Sequence, residues 1–392
     1  RDLRMSRGLG DVYKRQTGKT YIYATEDIEK GSWKTITFTP SYHDHTIFFD
    51  DDGRVYIIWG GGKLRIAELK PDWSGIKEGT ERIFIENASA PSGDNVGLPA
   101  EGSQLFKVNG KYYLFNITWP KGGMRTVVIH RADHINGPWE GRVALQDKGV
   151  AQGGLIDTPD GRWFAYLFRD NGAVGRIPYL VPVKWEEGWP VLGIDGKVPE
   201  RLELPASKGL IPGIVASDEF TRKKKEAALP LVWQWNHNPD NSLWSVSERK
   251  GYLRLKTGRV DADFLSARNT LTQRTVGPVC SGTTSVDVSN MKEGDFAGLV
   301  LLQKKYGFVG VKYENGVKKI VMVSAQTDKP EEVESLPLNQ TVIFLKAECD
   351  FTDMKDIASF YYSLDGKKWI KIGSQLKMAY TLPHFMGYRF GL

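Results

Sequence analysis

Three times in its first half the chain repeats a two-residue turn followed at once by an aromatic or β-branched run. Asp52-Gly53 precedes Arg54-Val55-Tyr56, Asn109-Gly110 precedes Lys111-Tyr112-Tyr113, and Asp160-Gly161 precedes Arg162-Trp163-Phe164. Asn-Gly and Asp-Gly adopt the left-handed backbone of tight hairpin turns, and the residues after them favour extended strands. The three glycines stand 57 and 51 residues apart, about the length of a four-stranded propeller blade with its loops. A second echo points the same way: Gly18-Lys19-Thr20-Tyr21 leads to Gly31-Ser32-Trp33 much as Gly110-Lys111-Tyr112-Tyr113 leads to Gly137-Pro138-Trp139. An antiparallel sandwich also repeats hairpins, but the spacing favours a propeller.

A chain of 392 residues is too long for one ordinary core, so two domains are expected. From about residue 200 to 214 the text loosens into Leu-Pro-Ala-Ser-Lys-Gly and Ile-Pro-Gly without a clean period. This places a partial propeller at 17–205, a linker at 206–216 and a second domain at 217–392. In the second domain, residues 252–256, 297–303, 342–348 and 359–363 alternate apolar with polar, and Asp365-Gly366 marks another hairpin. That pattern reads as a β-sandwich, which makes the whole chain all-β. Aromatics at 11% and 42 glycines suit short strands joined by tight turns.

Half of the net charge of +6 comes from residues 1–16, where Arg1, Arg4, Arg7, Lys14 and Arg15 face only Asp2 and Asp11. The remainder carries no basic run, so a nucleic-acid partner is not expected. Residues 1–16 show neither strand alternation nor a helical stripe and resemble a translated sequencing-adapter tail, with a disordered basic arm as the alternative. The end at Tyr388-Arg389-Phe390-Gly391-Leu392 reads as a strand stopped midway. Cys280 and Cys349 match no metal or redox spacing, and their pairing is left open. No apolar stretch reaches the 18 residues of a membrane span, so no membrane partner is expected.

Two carboxylates stand beside strongly apolar strands: Asp44 before Thr46-Ile47-Phe48-Phe49, and Glu101 before Leu105-Phe106. Burial and a neighbouring carboxylate both raise a carboxyl pKa, as a general acid working near neutrality requires. Read alone, each is a turn or cap residue. Read with their surroundings, they carry a resemblance to glycoside hydrolase family 43 that extends over nearly everything after residue 16. His43-Asp44 before Ile47-Phe48-Phe49-Asp50-Asp51-Asp52-Gly53 is similar to that family's auxiliary-aspartate strand. Glu101-Gly102 before Leu105-Phe106-Lys107 and Tyr112-Tyr113-Leu114 is similar to its general-acid strand.

The resemblance implies a five-bladed propeller, here without its N-terminal blade, and hydrolysis with inversion at the anomeric centre. Glu101 is then the general acid, and Asp44 orients it and tunes its pKa. The general base, an aspartate of the N-terminal blade, is left unassigned, so the chain is expected to be inactive as it stands. Arg176 matches a position that contacts the bound sugar. Its planar fork suits vicinal hydroxyls. Trp59 and Trp119 offer rings that could stack on a sugar face or equally belong to the core, while Arg125 and His43 are further substrate contacts. Gln152 stands where many relatives carry a histidine, often near a metal ion. An amide is a poor transition-metal ligand, and no metal is expected there. His43 and His45, at i and i+2, would share the strand face opposite Asp44, with no third ligand for a metal evident.

In the second domain, Ser217-Asp218-Glu219-Phe220, Trp233-Gln234-Trp235-Asn236-His237, Ala267-Arg268-Asn269-Thr270-Leu271 and Gly294-Asp295-Phe296-Ala297-Gly298-Leu299 resemble the concanavalin-like sandwich that follows the propeller in family xylosidases and arabinofuranosidases. Trp233, Trp235 and Trp244 read as core residues before a sugar platform. Together the resemblances imply an exo-acting inverting glycosidase that releases α-L-arabinofuranose or β-D-xylose from arabinoxylan-type oligo- or polysaccharides. No catalytic cofactor is implied, a structural calcium in the sandwich is allowed, and a polysaccharide substrate suggests an extracellular or periplasmic setting. The alternative is a non-catalytic carbohydrate-binding propeller, which would have no need of a raised-pKa acid.

Overall fold

The computed structural model describes residues 18–28, 31–204, 213–222, 228–261, 263–327, 329–381 and 386–392. The adapter-like residues 1–16 and most of the expected linker lie outside them. Among the described residues the regular structure is β-strand with four single-turn 3-10 helices. None of the helices is long and apolar enough to cross a membrane.

The first unit comprises the described residues up to Asp170 together with Ile177–Leu204. It begins with a two-stranded sheet, β1 (Thr20–Ala24) and β2 (Lys34–Phe38). Three four-stranded antiparallel meanders follow in chain order. These are β3 (Thr46–Phe49), β4 (Val55–Gly61), β5 (Lys63–Glu68) and β6 (Arg82–Ile85); β7 (Val96–Val108), β8 (Lys111–Pro120), β9 (Thr126–Ala132) and β10 (Glu140–Leu145); and β11 (Ala151–Asp157), β12 (Trp163–Asp170), β13 (Arg176–Glu186) and β14 (Trp189–Leu192).

The three turn dipeptides hold equivalent places, each joining the first strand of a four-stranded sheet to the second. Gly53, Gly110 and Gly161 have φ of 82°, 80° and 83°, the region that glycine enters without strain. The second echo divides. Gly31-Ser32-Trp33 and Gly137-Pro138-Trp139 both precede a strand that pairs with the one before it, β2 on β1 and β10 on β9. Gly18 precedes β1, however, whereas Gly110 precedes β8, which lies one strand earlier than β9 in its sheet. The two Gly-Lys pairs are therefore not equivalent.

The cores lie between consecutive sheets. Alternation along β4 sends Tyr56 and Ile58 into a cluster with Leu105, Tyr112 and Leu114 of the next sheet, and Ile57 and Trp59 into a cluster with Ile22 and Phe38 of the previous one. On β8, Tyr112 and Leu114 face back while Tyr113, Phe115 and Ile117 face forward onto Leu155, Ala165 and Leu167. A strand covered on both faces reads as a continuous apolar run, and Tyr112 through Thr118 are all buried. This face-to-face stacking of meanders is the blade packing of a propeller.

Asp50 links two blades. Its carboxylate accepts from Tyr112 Oη at 2.7 Å, Lys107 Nζ at 2.8 Å and the Asp51 N–H at 2.8 Å. Burial pushes the carboxyl up, but these three donors outweigh it and hold Asp50 below the usual carboxylate range. The Asp50→Ala variant leaves the Tyr112 hydroxyl buried without its acceptor, while Lys107 keeps Asp51 at 3.0 Å. The expected loss is about 2 kcal/mol in urea unfolding at neutral pH. Because the folded-state pKa is the lower one, this contribution is fully present above about pH 4 and fades as pH falls through the folded value. The gap between wild type and variant should narrow accordingly on acidification.

The second unit comprises Asn171–Arg176 and the described residues from Gly213 onward. A seven-stranded sheet runs in the order Gln234–Trp235, Leu271–Arg274, Arg389–Gly391, Phe296–Leu302, Gly307–Glu314, Val317–Ser324, Glu331–Pro337. A four-stranded sheet runs Val279–Asp287, Val342–Asp350, Ile357–Ser363, Ile370–Lys377. Leu299, Leu301, Val309, Val311 and Ile320 of the first meet Ile343, Leu345, Phe360 and Ile372 of the second in one core, the inner faces of a sandwich. The inclusion of Asn171–Arg176 departs from the sequence-based boundary. Ala173 explains it: its N–H donates to Asp356 Oδ2 at 3.0 Å, its carbonyl accepts from the Tyr388 N–H at 3.0 Å, and its side chain is fully buried in the sandwich core. Trp235 and Trp244 pack with ring centroids 5.1 Å apart, and Trp233 donates from Nε1 to Asp218 at 2.8 Å.

Candidate active site

Alternation was expected to set His43 and Asp44 on opposite strand faces, but both residues lie in a turn, and Asp44 has φ of 44°. The left-handed residue reverses the local direction of the chain, so the two side chains converge instead of alternating. They converge on Glu101 of β7. His43 Nε2 lies 2.9 Å from Glu101 Oε2, and single ligand atoms of His43, Asp44 and Glu101 all fall within 4.8 Å of one another. His45 is directed elsewhere and donates from Nδ1 to the Tyr42 carbonyl at 3.0 Å. The cluster is thus not the His43 and His45 pair considered from sequence but His43 with two carboxylates, Asp44 and Glu101. One imidazole nitrogen and two carboxylate oxygens are donor types that a divalent cation accepts, and the same closeness allows a proton to be shared between His43 and Glu101.

The support for this cluster comes from residues the sequence reading passed over. The run Gly60-Gly61-Gly62 closes the hairpin of β4 and β5. The Gly60 N–H donates to the His43 carbonyl at 3.1 Å and the Gly62 N–H to the Ala100 carbonyl at 2.8 Å, so one turn ties down both segments of the cluster. Gly61 lies beside the acid, since a Cβ placed there would stand 3.8 Å from Glu101 Oε2. From the other side, Asn116 on β8 donates to the Glu101 carbonyl at 3.2 Å and to Ser103 Oγ at 3.0 Å. Asn116 and Ser103 are each 1% exposed. The available signals were a run of three glycines and an asparagine inside an apolar strand.

Gln152 packs beneath the acid. It occupies a left-handed backbone position, φ 57°, where β11 shifts register against β12, and its amide lies against Gly102. Gly102 has φ of 64°, and a Cβ there would stand 2.4 Å from Gln152 Nε2. At the place where the resemblance implies a histidine near a metal, the chain offers a neutral amide that is engaged in packing. Gly102→Ala should lose about 1–2 kcal/mol from the left-handed backbone alone and should push Glu101 off its position. Adding Gln152→Ala removes the clash and should restore part of the stability. A thermal-melt comparison of the two variants checks this.

The other candidates separate. Trp119 is exposed, stands two residues beyond the register partner of Glu101, Ile117, and donates from Nε1 to the Gly123 carbonyl at 3.0 Å. Arg125 lies over its ring, 5.4 Å from the centroid, and pairs with Asp170. Trp59, open from sequence between a sugar-stacking ring and a core residue, lies in the core. It is 8% exposed and packs on Tyr42 with centroids 4.5 Å apart, which leaves no open face for a sugar. Arg176 is the first residue of β13 and groups with the second unit.

Comparison with known proteins identifies the family. The sequence model for glycosyl hydrolases family 43 matches residues 11–190, and that for the beta xylosidase C-terminal concanavalin A-like domain matches residues 217–392. A putative beta-xylosidase of Xylanibacter ruminicola is 30% identical over a 403-position alignment that covers 96% of this chain and 70% of that protein. A non-reducing end alpha-L-arabinofuranosidase of Bacteroides ovatus is 25% identical over 315 residues, covering 75% of this chain and 57% of that protein. The solved structure of a bifunctional GH43-CE protein of Bacteroides eggerthii has a TM-score of 0.92 and 69% identity over 96% of this chain. The chain spans 49% of that structure's length. With both of its units matched and a relative 30% identical over most of both chains, the chain belongs to glycoside hydrolase family 43.

Proposed function

We propose that the protein is an exo-acting inverting glycosidase that removes terminal α-L-arabinofuranose or β-D-xylose from arabinoxylan-type chains. The observation that carries this reading is the convergence of His43, Asp44 and Glu101. Glu101, half-buried, donates its proton to the glycosidic oxygen as that bond breaks, which removes the need to expel an alkoxide. Asp44 holds a carboxylate oxygen within 4.8 Å of the Glu101 and His43 donor atoms and so helps to orient the acid. His43, hydrogen-bonded to Glu101 Oε2, fixes the carboxyl's rotation and leaves Oε1 as the proton-bearing oxygen. Trp119 and Arg125 offer a stacking face and a cation to the sugar. Inversion also needs a base carboxylate roughly 6.5–9.5 Å from the acid to activate water. No residue is assigned to that role, so the test requires the full-length protein.

The test is release of nitrophenol from the α-L-arabinofuranoside and the β-D-xyloside, with the anomer formed first followed by proton NMR. Release with an inverted product supports the reading. A retained anomer overturns the mechanism. No release, accompanied by saturable calorimetric binding of xylo- or arabino-oligosaccharides, would replace it with a carbohydrate-binding role.

A further inference from the structure

In the sandwich, the strands Val279–Asp287 and Val342–Asp350 pair antiparallel with no register shift, and Cys280 stands opposite Cys349. Just beyond this ladder, the Phe351 N–H donates to the Pro278 carbonyl at 2.8 Å and the Val288 N–H to the Thr341 carbonyl at 2.7 Å. Both ends thus place even-numbered residues of the first strand in hydrogen-bonded pairs, and alternation along the ladder assigns Cys280 and Cys349 to the same class. Such pairs hold their Cα atoms about 5.5 Å apart, inside the range that a disulfide spans.

The side chains share the inner face of the sheet. Cys349 is 3% exposed and belongs to the sandwich core, while Cys280 is half-buried at its rim. Both are free thiols in this structure. Cys280 also receives the Val276 N–H at 3.4 Å, a donor that stabilises a thiolate. The hydrogen bond from Cys349 lowers the Cys280 thiol, and that same contact together with burial raises Cys349. One sulfur is therefore reachable and reactive and the other is shielded behind it, which is the arrangement of an attacking and a resolving thiol.

We propose that Cys280 and Cys349 form a cross-strand disulfide when the protein meets a small-molecule disulfide such as oxidised glutathione. The Cys280 thiolate attacks one glutathione sulfur, forming a mixed disulfide and releasing one reduced glutathione. Cys349 then gives up its proton and attacks Cys280 Sγ, which forms the internal bond and expels the second glutathione. The two thiols lose two electrons and two protons; the glutathione disulfide accepts the electrons and leaves as two thiols. The new bond ties the edge strand Val279–Asp287 to its neighbour across a long loop, which restricts the unfolded chain.

The experiment equilibrates the full chain with excess oxidised glutathione and then blocks remaining thiols with N-ethylmaleimide. The expected product is lighter by two hydrogens, carries no maleimide and yields one linked peptide pair on non-reducing digestion. Its melting temperature should rise by roughly 5 °C or more, and Cys280→Ala, a substitution at a half-buried position, should show neither change. Recovery of both cysteines as maleimide adducts, or a stable glutathione adduct on Cys280 without the linked pair, would overturn the proposal.

Discussion

Replacing Glu101 with Gln is expected to lower kcat/KM on a xylo- or arabino-oligosaccharide by about 10²–10⁴-fold in the full-length protein. The amide keeps the shape of the carboxyl and can still hydrogen-bond His43 across the 2.9 Å contact, so folding should be unaffected. It has no proton to give the departing oxygen. A sugar alcohol is a poor leaving group and needs that proton, whereas nitrophenolate leaves readily without it. The loss should therefore be much smaller on the nitrophenyl glycoside than on the oligosaccharide. Measuring both substrates with one variant separates loss of acid catalysis from loss of binding, which would affect the two alike. Unchanged activity on the oligosaccharide would remove Glu101 from the acid role.

Acidification should expose a second large effect at His130. This residue lies on β9, is 4% exposed, and its Nδ1 meets no hydrogen-bond partner among the described residues. It packs so closely on Gly141 that a methyl carbon there would come within 2.7 Å of its Cδ2. Burial alone lowers its pKa to about 4. The folded state therefore holds the neutral ring while the unfolded chain takes up a proton from about pH 6.5 downward. Stability is undiminished above that pH, falls as pH drops towards 4, and then levels, with a total loss of about 3 kcal/mol. His130→Phe fills the same space without titrating and should remove this part of the acid sensitivity. Urea unfolding of both proteins at pH 7 and pH 4.5 checks it, and parallel losses would show that His130 is not the source.

How much of this was legible depends on whether the signal was local. The turns at Gly53, Gly110 and Gly161 are local, since a two-residue left-handed turn is written in two residues, and each joins the first two strands of a blade. Asp44 and Glu101 were singled out by their neighbours, and the structure brings them together. What the sequence concealed depends on distant partners or on a single dihedral angle. Alternation misplaced His43 because Asp44 adopts a left-handed backbone where a strand was assumed. Trp59 stayed open between core and sugar platform because burial by Tyr42 is invisible until the strands are stacked. The ties from the Gly60-Gly61-Gly62 run reach back 17 residues to His43 and forward 38 residues to Ala100. Asn171–Arg176 sits in text that reads as propeller, yet Ala173 binds Asp356 and Tyr388, some two hundred residues later.

The three blade turns have one more property. Nothing lies within 4 Å of where a side chain would begin at Gly53, Gly110 or Gly161. Each tip is therefore open space at the end of a rigid pair of strands, the kind of position that accepts foreign peptide most readily. A fluorophore, an affinity tag or a second binding module could be spliced into any of them without disturbing the layers beneath. Relocated chain ends could be opened at the same points, which would give the molecule several alternative beginnings.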